Sequence, residues 1–204
     1  MSQCVITARL GLMPRWEPSA EDRLRESALV LFQQRGYENV TVTDITDHAG
    51  LTRRTFSRYF ADKRDVLFAG SERLPVVISK AVRDSEPQLG PAEALIAGLS
   101  ATGTLLAKNV PRSPDRRLIV AASAELQERE RTKFAAVAES LAEALRERGA
   151  TDTAAQLLAD VGIAVFRTAF ARWTEEPDGA EFPVYVTEAA AELTSALAPI
   201  AKQV

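Results

Sequence analysis

Residues 40–68 read VTVTDITDHAGLTRRTFSRYFADKRDVLF. Their spacing predicts two short helices joined by a tight turn, followed by the start of a longer helix. Thr43 is the candidate N-cap of the first, and Asp44 then lies in its first turn, where a carboxylate suits the helix dipole. Ile45 and Ala49 stand four apart and define a buried face. Gly50 supplies the left-handed residue that stops the helix, and Leu51 anchors the turn. Thr52 caps the second helix and leaves Arg53, Arg54 and Thr55 in its first turn. Phe56 and Phe60 point to one side, Ser57 and Arg58 away from it. This is helix-turn-helix construction, in which the second helix offers its N-terminal residues to the major groove.

Upstream, Ser19 and Asp22 have capping-box spacing. Leu24, Ala28, Leu31 and Phe32 form an apolar stripe at helical spacing, and Gly36 ends that helix. The stripe should pack on Ile45, Phe56 and Phe60, with Tyr37 and Val40 closing the bottom of a three-helix module. Downstream, Asp62 caps a further helix with Asp65 at its third position. Lys63 and the free backbone N–H groups of that first turn make a candidate phosphate clamp. The pattern reads as one helix running through Leu67, Phe68, Leu74, Val77, Ile78 and Val82, kinked at Pro75. Such a rod would connect the module to everything beyond it.

The residues Phe32, Gly36-Tyr37, Thr41-Val42-Thr43, Asp44-Ile45, Ala49-Gly50, Thr52, Thr55-Phe56, Tyr59-Phe60 and Lys63 carry a resemblance to the DNA-binding region of the TetR family of bacterial transcriptional regulators. It spans about a quarter of the chain with fixed spacing over three helices. Arg54 stands where that family often has Gly, and Ser57 where it often has an aromatic residue. The resemblance implies phosphate contacts from Thr43, Thr52, Tyr59 and Lys63. Arg53, Arg54 and Ser57 are the candidates for base edges, Arg being suited to guanine. Thr55 and Arg58 complete the expected DNA-binding set.

Composition bounds the rest. The chain has 204 residues, a 46% hydrophobic content and a net charge of −3. It is long enough to bury a substantial core and too apolar to be disordered. The small net charge gives no whole-chain basic footprint. From Thr52 to Arg64, however, Arg53, Arg54, Arg58, Lys63 and Arg64 face the single Asp62. A local basic face on an acidic body still steers DNA. One cysteine, Cys4, excludes an internal disulfide and fits a reducing compartment. No apolar run approaches the roughly 20 residues of a membrane span, and the opening segment does not read as a signal peptide. The expectation is a soluble, cytoplasmic protein. Residues 1–18 read as an arm in which Arg9 and Arg15 are either solvated or in reach of a phosphate.

The lone His48 and lone Cys4 cannot supply a usual zinc set. No Walker loop, dinucleotide glycine fingerprint or nucleophile elbow occurs. Glu125, Glu128 and Glu130 read as a solvated face. No cofactor and no catalytic constellation is therefore expected.

Beyond residue 66, helices are expected from Pro91 to Lys108, with Leu95, Leu99, Leu105 and Leu106, and from Thr132 to Arg148, with Phe134, Val137, Leu141 and Leu145. A segment from Asp115 to Leu126 has an open boundary. A long helix runs from Thr151-Asp152 to Glu176-Pro177 and carries two apolar stripes. One is Ala154, Leu158, Val161, Val165 and Ala169; the other is Ile163, Phe166, Phe170 and Trp173. A helix so apolar must be covered on two sides. The last helix, Pro183 to Leu197, shows a seam of Val186, Ala190, Leu193 and Leu197, with Pro199 ending it. No strand alternation appears.

These readings give an all-α protein of about nine helices: an arm at 1–18, a DNA-binding module at 19–65 and a helical domain at 66–204. The family resemblance implies a dimeric repressor that a small molecule releases from a palindromic operator. The candidate pocket is lined by Leu99, Leu106, Phe134, Val137, Leu141, Phe166, Phe170 and Trp173. These side chains are apolar, so the effector should be largely hydrophobic. The narrow stripe Leu158-Val161-Val165-Ala169 and the seam Val186-Ala190-Leu193-Leu197 are the candidate dimer interface. A helical small-molecule-binding protein without operator-specific DNA binding and an enzyme with a helical cavity remain the alternatives. The first alternative has to explain the basic first turn, and the second the missing catalytic groups.

Overall fold

A computed structural model describes residues 19–68, 70–107, 110 and 112–201. The arm at 1–18, with Cys4, Arg9 and Arg15, lies outside the described residues. Among those described there are ten α-helices, nine of them at least seven residues long, and no strand. They are α1 (Ala20–Arg35), α2 (Val42–Ala49), α3 (Arg53–Tyr59), α4 (Asp65–Phe68), α5 (Leu74–Arg83), α6 (Pro91–Ala107), α7 (Asp115–Ala121), α8 (Ala124–Glu147), α9 (Asp152–Glu175) and α10 (Phe182–Ala201).

Two apolar cores form. The first gathers Leu24, Ala28, Leu31 and Phe32 of α1 with Ile45, Phe56 and Phe60, as the stripes require, and Tyr37 and Val40 close it. In this core the helix starts are set by side chains. Ser19 and Asp22 make the reciprocal capping box of α1. Gly50 adopts the left-handed conformation (φ 64°, ψ 38°) that ends α2, and Thr52 caps α3. The cap of α2 is Thr41, not Thr43: the Thr41 hydroxyl accepts from Asp44 N–H, and the Asp44 carboxylate accepts from Thr41 N–H at 2.8 Å. Only Thr41 has the three-residue spacing to an acid that this reciprocal arrangement needs.

The expected rod from Asp62 to Val82 is not one helix. Asp62 does cap α4, its carboxylate accepting from Arg64 and Asp65 N–H. But α4 stops at Phe68, Gly70 takes a positive φ of 84°, and a short 3-10 turn (Ser71–Arg73) leads into α5. Pro75 lies in the first turn of α5, where its missing N–H costs nothing, so it starts a helix rather than kinking one. The connection between head and body runs elsewhere. Ile119 and Val120 of α7 and Leu126 of α8 are buried in the head's own core. Polar ties surround them: the Ser123 hydroxyl donates to Glu38 at 2.9 Å, Arg64 pairs with Glu125 at 3.2 Å, Arg129 with Asp65 at 3.0 Å, and Arg116 Nε donates to the Leu67 carbonyl at 2.8 Å.

The second core is built from α5, α6, α8, α9 and α10. α8 begins at Ala124, eight residues before the start expected at Thr132, and α7 is a separate short helix. α10 runs two residues past Pro199. A proline near a helix C-terminus forfeits one hydrogen bond without obliging the last turn to unwind. Close approach is bought at Gly98 and Gly103: a Cβ on Gly98 would lie 2.5 Å from Val82, and one on Gly103 would lie 1.8 Å from the Phe182 ring. Two arginines fasten loops by collecting carbonyls. Arg148 donates to Arg83, Ser85, Glu86 and Leu89, and Arg112 to Trp173, Gly179 and Ala180.

α9 departs from the expectation that no segment reaches membrane-span length. By length and composition it is apolar enough to cross a bilayer. Here it packs between α8, α10 and α6, which explains its apolar circumference.

Candidate DNA-reading face and effector core

On α3 the two phenylalanines face inward and the basic residues face out. Phe56 and Phe60 are buried, whereas Arg53, Arg54, Ser57 and Arg58 are exposed. The register of a seven-residue helix thus separates core from surface. Thr52, Arg54, Thr55 and Arg58 line an open depression on this face. The Thr52 hydroxyl accepts from Thr55 N–H at 3.2 Å and lies 3.0 Å from the Thr55 hydroxyl, so both serve the start of α3. Arg58 stacks 4.7 Å over the Tyr59 ring and donates to its hydroxyl. Thr43 is exposed on α2. The Asp44 carboxyl, held below its ordinary range chiefly by the hydrogen bond from the Thr41 side chain, keeps a negative charge at the start of α2.

Lys63 departs from its expected place. Its ammonium donates to the carbonyls of Tyr37 at 2.9 Å and Val40 at 3.1 Å and lies 4.1 Å over the Tyr37 ring. Two of its three donors therefore tie the head together rather than facing solvent. The backbone donors expected beside it are also taken: Asp62 receives Arg64 and Asp65 N–H, and Asp65 receives Ala61 N–H. No phosphate clamp forms at this turn in the free chain.

The candidate effector residues converge in one core. Leu99, Val137, Leu141, Phe166 and Trp173 are buried there, and Leu106, Phe134 and Phe170 lie partly exposed against it. The aromatic part is continuous: Phe166 and Phe170 stack at 6.3 Å, and Phe182 meets Phe166, Phe170 and Trp173 at 5.5, 6.4 and 6.0 Å. Phe182 was outside the sequence expectation, which started the last helix one residue later. Its signal was the pairing of a bulky ring with Gly103, two positions far apart in the chain. Arg112, also unforeseen, stacks over Trp173 at 5.1 Å and Tyr185 at 5.8 Å at the edge of this cluster. Thr102 on α6 is fully buried, and its hydroxyl has no hydrogen-bond partner among the described residues. Buried polar atoms are rarely left so.

The candidate dimer stripe needs correction. Val165 (3% exposed), Ala169 (0%) and Val186 (0%) are closed inside the chain's own core and offer no surface to a partner. The C-terminal part of each stripe of α9 faces inward, where α6, α8 and α10 pack around the helix. Leu158, Val161, Ala190 and Leu193 remain partly exposed, and Leu197 is exposed. The outward line on α9 is Leu157, Val161, Ala164 and Thr168, with Leu157 62% exposed.

Comparison with known proteins places this geometry. A family model described as "Bacterial regulatory proteins, tetR family" matches residues 24–69, and one described as "MftR C-terminal domain" matches residues 89–198. A Mycobacterium tuberculosis protein that carries the name mycofactocin biosynthesis transcriptional regulator MftR is 26% identical over 156 residues, 75% of this chain and 79% of that protein. Among solved structures, a transcriptional regulator of Pseudomonas aeruginosa PAO1 superposes with a TM-score of 0.59 at 19% identity, covering 90% of this chain and 93% of that one. SmeT in complex with triclosan gives 0.58 at 20% identity, covering 88% and 91%. The second family model alone spans more than half of the 204 residues, and the helix-turn-helix lies where the first requires it. The chain belongs to the TetR family of bacterial regulatory proteins, which regulate transcription.

Proposed function

We propose that this regulator is a cytoplasmic, homodimeric repressor without enzymatic activity, released from a roughly palindromic operator by a largely apolar small molecule. The observation that carries the reading is the position of α7 and the start of α8. They bury Ile119, Val120 and Leu126 in the head while α8 lines the aromatic core of the body. A change in that core moves the helix that the head rests on. Ligand and DNA then oppose each other because each favours a different head position.

On the DNA, Arg53, Arg54 and Ser57 read base edges, and Thr43, Thr52 and Tyr59 touch phosphates, with Arg58 and Thr55 supporting them. Lys63 holds the head's shape and gives at most its third donor to a phosphate. The head comprises residues 19–65 with Val66–Phe68 in the same core, and the body follows it. An apolar effector suits the aromatic core, and SmeT, a chain of this fold, occurs in complex with triclosan. Leu157, Val161 and Ala164 of α9 with Ala190, Leu193 and Leu197 of α10 form the partner surface, giving a four-helix bundle about a two-fold axis.

Binding of the purified protein to its own upstream DNA at several salt concentrations tests this. Several phosphate contacts should make log K fall steeply with log salt. Binding that is salt-insensitive, or equal on unrelated DNA, would leave a helical small-molecule-binding protein instead. Sedimentation should give twice the 22.2 kDa chain mass, and Ala164→Glu should halve it.

A further inference from the structure

Four cations crowd two aromatic rings where head and body meet. Lys133 Nζ lies 4.2 Å from the centre of the Phe134 ring and 5.7 Å from that of Phe68. The Arg167 guanidinium lies 5.5 Å from Phe134. Arg116 and Arg129 lie 4.8 and 5.8 Å from Phe68. The carboxylates among them are two. Glu130 accepts from Arg116 at 3.2 Å and stands 3.8 Å from Lys133, and Asp65 takes Arg129 at 3.0 Å. Arg167 has no hydrogen bond or ion pair among the described residues, and neither does Lys133 have a hydrogen bond there.

Lys133 is the unusual member. Its side chain is only 15% exposed, and a charge so largely withdrawn from water is normally paired and hydrogen-bonded. Burial, together with Arg116 and Arg167, pushes its pKa down to about 8 against the opposing pull of Glu130. The site thus holds more positive than negative charge beside a partly exposed apolar wall, Phe134 and Phe170, that belongs to the effector core.

We propose that this cluster binds the carboxylate of an amphipathic monocarboxylic acid, whose apolar tail enters the core at Phe134 and Phe170. This rests on the ligand-responsive reading above and names the chemical class of its ligand. An entering carboxylate supplies the missing negative charge to Lys133 and Arg167. It also competes with Glu130 and the Leu67 carbonyl for Arg116, and Leu67 is in the head's core. Head-group binding therefore acts on the tie between head and body.

The test is calorimetric titration of the full chain at pH 7 with decanoate, decanol and acetate, without DNA. Decanoate should bind, decanol at least about tenfold more weakly, and acetate undetectably, since a charge-assisted hydrogen bond is worth about one order of magnitude or more. Lys133→Met and Arg167→Gln should each weaken decanoate about tenfold and leave decanol unchanged. Arg167 is exposed, so its variant should fold as the wild type does. Equal binding of decanoate and decanol, binding of acetate as strong as that of decanoate, or unchanged decanoate affinity in both variants would overturn the site. Operator binding measured separately decides the regulator reading. A chain that ignores DNA but binds decanoate through Lys133 refutes that reading and keeps the site, whereas release of operator by decanol as readily as by decanoate does the reverse.

Discussion

The head and the body of this chain keep their working surfaces on opposite sides of their cores. In the head, Phe56 and Phe60 go inward and leave Arg53, Arg54 and Ser57 in solvent. The proposed DNA contacts lie outside, and the core holds a helix in register. In the body, the residues singled out for a ligand belong to the core itself, where Phe182 meets the rings of Phe166, Phe170 and Trp173. A mutation can therefore separate function from stability in the head, and cannot easily do so in the body.

The largest expected effect breaks the body. Phe182→Ala removes a ring that is 1% exposed and touches three other aromatics. The cost should be about 3–5 kcal/mol, the usual range for a buried phenylalanine. Urea unfolding measures it. A loss under 1 kcal/mol would mean that the ring lies over an existing cavity rather than filling a packed core.

Next comes the boundary between the two regions. Lys133 is faced by Arg116 of α7, Glu130 of its own helix and Arg167 of α9. Its pKa falls from 10.5 in the ordinary state to about 8 in the fold. The unfolded chain holds this proton longer, so stability rises with pH between about 8 and 10.5. At about 1.4 kcal/mol per pH unit the ceiling is on the order of 3 kcal/mol. Lys133→Met should flatten that rise and be more stable than the wild type at pH 7. An identical stability–pH curve for the variant would show that Lys133 is hydrated in solution.

In the head the expectation is a clean separation. Arg54→Ala should cost about 1–3 kcal/mol of operator affinity at one base pair, as for a lost arginine–guanine contact. Its melting temperature should hardly move, because surface substitutions stay within about 0.5 kcal/mol. Lys63→Met should show the reverse, losing stability first, since its ammonium bonds two backbone carbonyls of the head. Operator selection with randomised half-sites, alongside thermal unfolding, reads both.

The same contrast explains how much was legible in sequence. The head's stripes, its capping box at Ser19, its Gly50 turn and its exposed arginines follow from contacts three to four residues apart, which a one-dimensional pattern carries. Lys63 misled because its partners, Tyr37 and Val40, lie 26 and 23 positions away. The body's helices were readable from periodicity, but not which stripe of α9 faces whom. That depends on how α6, α8 and α10 surround it. Arg112 reaches residues 61 to 68 positions distant, and the cluster at Lys133 is assembled from α4, α7, α8 and α9. No local spacing announces such sites. The break at Gly70 is a different case, because a glycine five residues before Pro75 was visible as a place where one helix ends and another starts.

The smallest effect tests a local reading that failed within the head. Thr41 and Thr43 flank Val42, and only Thr41 caps α2. Thr41→Ala should cost about 1 kcal/mol, the usual loss of an N-cap hydroxyl. Thr43→Ala should cost almost no stability, because its side chain is exposed and outside the capping box, and should instead weaken operator binding uniformly across sequences if it touches a phosphate. The pH dependence separates the two further. The folded Asp44 carboxyl titrates below its ordinary range, principally through the Thr41 side chain. Its contribution is therefore present above the ordinary carboxylate pKa and is lost as pH falls through the lowered value. Thr41→Ala should move the Asp44 pKa, followed by NMR, back upward, and Thr43→Ala should leave it where it is. The opposite pattern would restore Thr43 as the cap and displace Thr41 from the start of α2.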